Sequence, residues 1–189
     1  MEVNTPQNHQ EEIELVKRAK TDDEAFGILY NQYFPKIYGF VAKRIGQRET
    51  AEDIVSVVFT EAFVHLEGYE YKNCSFGAWL YKIATNKLID HYRKEGKRKS
   101  VSIDGEFEIE VIDESVDQAI DTDRILSAKT VKVALSEVPA KYQKILSLKF
   151  FSELSNNEIA EVLGVSPNNV GVLLYRSLKK FKKHYEKYV

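Results

Sequence analysis

The sequence predicts an all-α protein of two small helical domains joined by an acidic linker. Three observations carry this expectation. Apolar residues recur at helical spacing through residues 11–94 and again from about residue 120 onward, with no strand alternation interrupting the first stretch. Capping residues stand where such helices would begin and end. Between Asp104 and Asp123 lie nine acids and no Lys or Arg, a composition that suits a tether better than a core.

The elements follow in order. Glu12 to Ala19 reads as a short amphipathic helix. Thr21 is a plausible cap for the next, which runs through Phe26, Leu29, Tyr30 and Tyr33. Pro35 predicts a kink or a new start, and Ile37, Tyr38, Phe40, Val41 and Ile45 continue the stripe. Thr50 or Glu52 opens a third helix through Ile54, Val55, Val58, Phe59, Ala62, Phe63 and Leu66. Gly68 to Ser75 reads as a loop, and Phe76 to about Arg93 as a fourth long helix. The first domain is thus set at 11–94, the linker at 95–123 and the second domain at 124–189. Scattered apolar residues in the linker (Ile103, Phe107, Ile109, Val111, Ile112) leave a short extended piece open. Helical periodicity resumes from Ile120 to Leu135, and Pro139 starts a helix through Tyr142, Ile145, Leu146, Leu148 and Phe150.

The strongest local signal is Ser155 to Val170. Ser155 and Glu158 stand at capping-box spacing. Ile159, Ala160, Val162 and Leu163 make an apolar stripe, and Gly164 suits a left-handed helix end. Ser166 and Pro167 supply the next N-cap and first helical position. Val170, Leu173, Leu174 and Leu178 continue the stripe. This is the pattern of a helix-turn-helix, whose second helix enters the DNA major groove.

The net charge of −2 seems to oppose a polyanionic partner, but its distribution favours one. Without the nine linker acids the chain carries about +7. Seven bases lie between Lys82 and Lys99, and six between Arg176 and Lys187. On the fourth helix Lys82, Asn86 and Arg93 share a face, offering an amide for a base edge and cations for phosphates, with Lys94 adjoining. Taken alone that face is as readily a solvated surface. Tyr69, Tyr71 and Asn73, in the loop before it, suit an extruded base, although packing beneath the loop suits Tyr69 equally.

Other classes find little support. The four histidines lack metal-ligand spacing, and no glycine-rich phosphate loop is present. Cys74 has no evident partner, so neither an internal disulfide nor a cysteine zinc site is expected. No apolar run is long enough to span a bilayer, and Met1 to Gln10 lacks the pattern of a signal peptide. A cytoplasmic protein without cofactor, metal or enzymatic activity is expected.

The two halves together resemble the extracytoplasmic-function (ECF) sigma factors, the two-domain class of bacterial transcription initiation subunits. Asp23 to Tyr30, Ala51-Glu-Asp-Ile-Val-Ser56 with Phe59, Phe76-Gly-Ala-Trp-Leu-Tyr-Lys-Ile-Ala-Thr-Asn86 and Asp90-His-Tyr-Arg93 are similar to sigma region 2. Leu135 to Pro139, Leu148 to Phe151, Leu154 to Ala160, Leu163 to Ser166 and Tyr175 to Lys179 are similar to region 4. The resemblance implies a region 2 four-helix bundle and a region 4 helix-turn-helix, with core RNA polymerase and promoter DNA as partners. It also allows an anti-sigma factor. It implies that Glu52, Asp53, Ser56 and Phe59 lie on or under a polymerase-binding helix. The −10 strand would fall to Tyr69, Tyr71, Asn73, Lys82, Asn86, Arg93 and Lys94. The −35 duplex would fall to Ser166, Asn168, Asn169, Tyr175, Arg176, Lys179 and Lys180.

Two departures stand out. Ser56-Val57 replaces the family's usual Gln-Glu pair, and Gly171 and Leu173 replace a Lys and an Arg of the recognition helix. The second change predicts fewer phosphate contacts and a shallower salt dependence. Gly171 in mid-helix costs about 1 kcal/mol relative to Ala. Close approach of the backbone to DNA or to a neighbouring helix would account for it. A helix-turn-helix regulator with a helical dimerisation or sensor domain is the alternative reading, and a protein-only helical adaptor a third. The basic cluster from Lys82 to Lys99 disfavours the regulator, because a sensor domain needs no second DNA-facing surface.

Overall fold

The computed structural model describes residues 6–71, 74–95 and 122–188, and among these it contains helices and no strand. The described residues form eight α-helices: α1 Pro6–Ala19, α2 Asp23–Ile45, α3 Arg48–His65, α4 Phe76–Lys94, α5 Thr122–Ser136, α6 Ala140–Leu146, α7 Asn156–Leu163 and α8 Pro167–Tyr185. A π-turn, Ser147–Phe151, extends α6. Most of the predicted linker lies outside the described residues, as does the extended piece left open there.

Capping chemistry sets most of the boundaries. Asp22, rather than Thr21, caps α2: its Oδ1 accepts from the Glu24 N–H at 3.0 Å. Gly46, with φ 54°, ends α2, and α3 begins at once, ahead of the expected Thr50 or Glu52. Ser75 caps α4 through the Ala78 N–H. Pro35 neither breaks nor restarts α2. It sits on the exposed side, as does Asn31, so the carbonyl it leaves without a donor faces water.

The first core is built from α2, α3 and α4 with α1 laid across α2. Leu29, Ile37, Val41, Val55, Val58, Phe76, Leu80 and Leu88 are fully buried there. Val138, Ile145, Leu148, Ile159 and Val170 fill the second core. Four expected stripe residues turn outward, Tyr30 among them, although its ring meets Phe59 at a centroid distance of 4.6 Å. Phe150 is exposed because the i→i+5 bond from Ser152 N–H to Ser147 O (3.1 Å) rotates the chain past helical register. Phe63 keeps an edge contact with Phe26, centroids 4.9 Å apart, but stays half exposed. On α8, Ser177 occupies the core position beside Leu174 and donates to Leu173 O at 2.7 Å, which leaves Leu178 outside.

The two units touch through α4 and α7. Glu158 in α7 accepts from the Ser75 N–H at 3.2 Å and from the Ser75 hydroxyl, while its other oxygen takes the Ser155 N–H at 2.8 Å. One carboxylate therefore closes the capping box of α7 and grips the N-cap of α4. Burial pushes that carboxyl up, but the Ser75 and Ser155 hydrogen bonds outweigh it and hold the group below its ordinary range. Nearby, Glu12 of α1 accepts from the Phe76 N–H at 3.1 Å and from the Tyr33 hydroxyl.

Candidate nucleic-acid interface

Two helices carry the cationic faces. On α4, the residues at buried positions (Leu80, Ile83, Ala84, Leu88) fix which side looks out, and Lys82, Asn86, Arg93 and Lys94 are exposed. Arg93 is paired with Asp90 at 3.0 Å on the same helix. Both side chains are mostly solvated, so the pair is weak and yields to a phosphate at small cost. Lys82 lies 3.7 Å from Glu161 of α7, so this cationic face abuts the second unit.

The loop residues separate. Tyr71 is 41% exposed. Tyr69 is buried: its hydroxyl donates to Cys74 O at 2.8 Å, and its ring meets Trp79 and Phe76 at centroid distances of 4.8 and 5.9 Å. Of the two roles open to Tyr69, this placement matches packing under the loop. Asn73 lies outside the described residues. Cys74 is half-buried, and burial with Glu158 and Glu161 pushes its thiol up to about 11 against the smaller pull of Lys82. Such a thiol is a poor nucleophile at neutral pH. Among the described residues no group of three His, Cys, Asp or Glu is placed to hold a metal.

On α8, Ser166 is the N-cap and its hydroxyl accepts from the Asn169 N–H at 3.3 Å. Asn168, Asn169, Tyr175, Arg176, Lys179 and Lys180 are all exposed, Tyr175 by 68%. Lys180 lies over the Tyr142 ring, 5.7 Å from its centroid. The helix is anchored at its far end, where Glu137 meets His184 at 2.7 Å, Lys187 at 2.8 Å and the Tyr188 hydroxyl. Hydrogen bonds from Lys187, Tyr188 and His184 hold the Glu137 carboxyl down at about 2. A Cβ built at Gly171 meets no atom within 4 Å. Packing against a neighbouring helix is thereby removed as the reason for this glycine.

The outer face of α3 presents Glu52, Asp53 and Ser56, with Glu52 paired to Arg48 at 2.7 Å. Phe59 lies beneath it, 4% exposed, its ring 4.6 Å from Tyr30. Val57 of the departing Ser56-Val57 pair, and Val64, which the sequence pattern did not single out, are 49% and 66% exposed on the same face. Their spacing of seven residues off the core stripe was the available signal.

Residues 29–98 match the Sigma-70 region 2 family model, and residues 128–181 match Sigma-70, region 4. The chain is 30% identical to the ECF RNA polymerase sigma factor SigW of Bacillus subtilis, over 87% of this chain and 90% of that one. It is 31% identical to the RNA polymerase sigma factor YlaC of the same organism, over 84% and 91%. The chain belongs to the ECF RNA polymerase sigma factors. It is an alternative sigma factor and directs transcription initiation. A third relative, the ECF RNA polymerase sigma factor BldN of Streptomyces coelicolor, is also 30% identical over 88% of this chain, which spans 63% of that protein's length. Among solved structures, CnrH in complex with the cytosolic domain of CnrY shares the fold, with a TM-score of 0.64 at 21% identity over 93% of this chain and 97% of that one. Helix α4 lies within the region 2 match and α8 within the region 4 match, each with exposed cations, and no helix among the described residues is long and apolar enough to cross a membrane.

Proposed function

We propose that this ECF sigma factor docks on core RNA polymerase through the outer face of α3 and reads a promoter with two separate surfaces. Residues 11–94 hold the melted −10 strand on α4, through Asn86, Lys82, Arg93 and Lys94, with Tyr71 at the loop. Residues 124–189 read the −35 duplex with α8, and 95–123 connect the two. The observation that carries this reading is the pair of exposed cationic helix faces, one on each unit.

The contact between α4 and α7 has a consequence for this function. Elements at −10 and −35 lie about 25 base pairs apart, roughly 80 Å at ~3.4 Å per step. Helices that meet through Lys82 and Glu161 cannot occupy both elements. The units therefore separate on the promoter: Ser75 and Glu158 exchange each other for water, and Lys82 exchanges Glu161 for DNA. The binding energy gained on melted −10 DNA favours the open complex over the closed one. Phosphoryl chemistry belongs to the polymerase, so this subunit works as a non-enzymatic component in the cytoplasm. An anti-sigma factor acting on it would stabilise the closed arrangement.

The test is transcription in vitro with purified core polymerase on a promoter library. Discrete start sites that depend on this chain are expected. Absence of specific transcripts, together with tight DNA binding by the chain alone as a dimer, would point instead to a helix-turn-helix regulator.

A further inference from the structure

The outer face of α8 differs from a phosphate-gripping surface over its first turns. At ~100° per residue, Asn168, Val172, Tyr175 and Lys179 fall within about 60° of arc, with Gly171 about 40° beyond it on the Tyr175 side. The buried Val170, Leu174 and Ser177 fix the opposite side against the core. Val172 is 46% exposed and Asn168 is exposed. The cations of this helix begin only at Arg176. The N-terminal residues of a recognition helix are those that meet base edges.

Gly171 is the informative residue. Glycine is the least helix-favouring residue after proline. Here it lies inside a 19-residue helix, and an added Cβ would meet nothing within 4 Å. No contact within the described residues requires it. Its use is explained by something outside the chain that comes closer than a side chain would allow.

Resting on the −35 assignment made above, we propose that α8 reads an adenine–thymine step at close range. Gly171 lets the helix backbone seat deeply in the major groove, Val172 packs on a thymine C5-methyl, and Asn168 pairs with an adenine N6/N7 edge. The chemistry is the direct readout available to these side chains: apolar groups recognise the thymine methyl and Asn recognises adenine. Flanking cations (Arg176, Lys179, Lys182, Lys183) make duplex DNA, rather than an apolar protein helix, the occupant of this face.

The experiment uses the full chain with core polymerase. Promoters are first selected from a pool randomised over the −35 region, and each thymine there is then replaced by deoxyuridine, which removes the methyl alone. One position is expected at which the replacement lowers transcript yield about fourfold, with that sensitivity lost in Val172→Ala. Asn168→Ala should relax the choice at one adenine. Gly171→Ala should raise the melting temperature of the free chain by about 2–4 °C while lowering promoter use at least tenfold. Specific transcripts with no deoxyuridine effect tied to Val172, or full promoter use by Gly171→Ala, would overturn the proposal and leave the sigma assignment intact. Absence of specific transcripts on every promoter would overturn both.

Discussion

At the scale of single residues, two glycines behave in opposite ways. A Cβ at Gly77 would lie 2.7 Å from the Tyr33 ring, which is buried and tied through its hydroxyl to Glu12. Gly77→Ala should therefore destabilise the first unit by about 1–3 kcal/mol through overpacking, whereas Gly171→Ala meets open space. Urea denaturation of the two variants checks the sign, and equal midpoints would contradict it. Lys144 makes a second case. It is 7% exposed, and burial with the nearby Arg44 guanidinium lowers its ammonium to about 8. The unfolded chain binds that proton more tightly than the folded chain, so Lys144 adds stability as pH rises from about 8 toward 10, against an opposing loss from the raised Cys74 thiol that sets in near pH 9. Beyond pH 10 the buried phenols of Tyr33 and Tyr69, raised above their ordinary value mainly by burial, turn it down again. Urea midpoints at pH 7.5 and 9.5 should differ for the parent chain and much less for Lys144→Met. The same alkaline gain in both would remove Lys144 as its source.

At the scale of elements, local chemistry was legible in the sequence and tertiary placement was not. The caps at Ser155 with Glu158, at Gly164 and at Ser166 with Pro167 depend on neighbours within four residues, and the sequence displays those neighbours, whereas α2 and α3 have their N-caps at Asp22 and Gln47 rather than at the expected Thr21 and Thr50 or Glu52. The depth of Tyr69 and the core place of Ser177 depend on which helix arrives opposite, so periodicity alone could not assign them. The π-turn shows the same limit: one i→i+5 bond moves Phe150 from the expected stripe to the surface. The α3 face carries a prediction. Val57 and Val64 extend the expected Asp53 and Ser56 surface with apolar area, each worth about 1 kcal/mol or more when covered by a partner. Val57→Asp with Val64→Asp should weaken association with core polymerase at least tenfold and leave the melting temperature within about 2 °C. Unchanged association in a pull-down titration would place the dock elsewhere.

At the scale of the whole molecule, the two units meet through a small set of polar groups. Glu158 and Ser75, Lys82 and Glu161, and Lys43 over the Phe151 ring at 4.9 Å link them, alongside a few apolar contacts such as Leu154. The central claim is that this sigma factor closes α4 on α7 when free and opens to span a promoter. It is tested most directly by energy transfer between dyes at Glu95→Cys and Glu186→Cys in a Cys74→Ser background. High transfer is predicted for the free chain, and a large fall in a complex with core polymerase and a promoter it transcribes. Unchanged transfer in a complex that still initiates at that promoter would contradict the account.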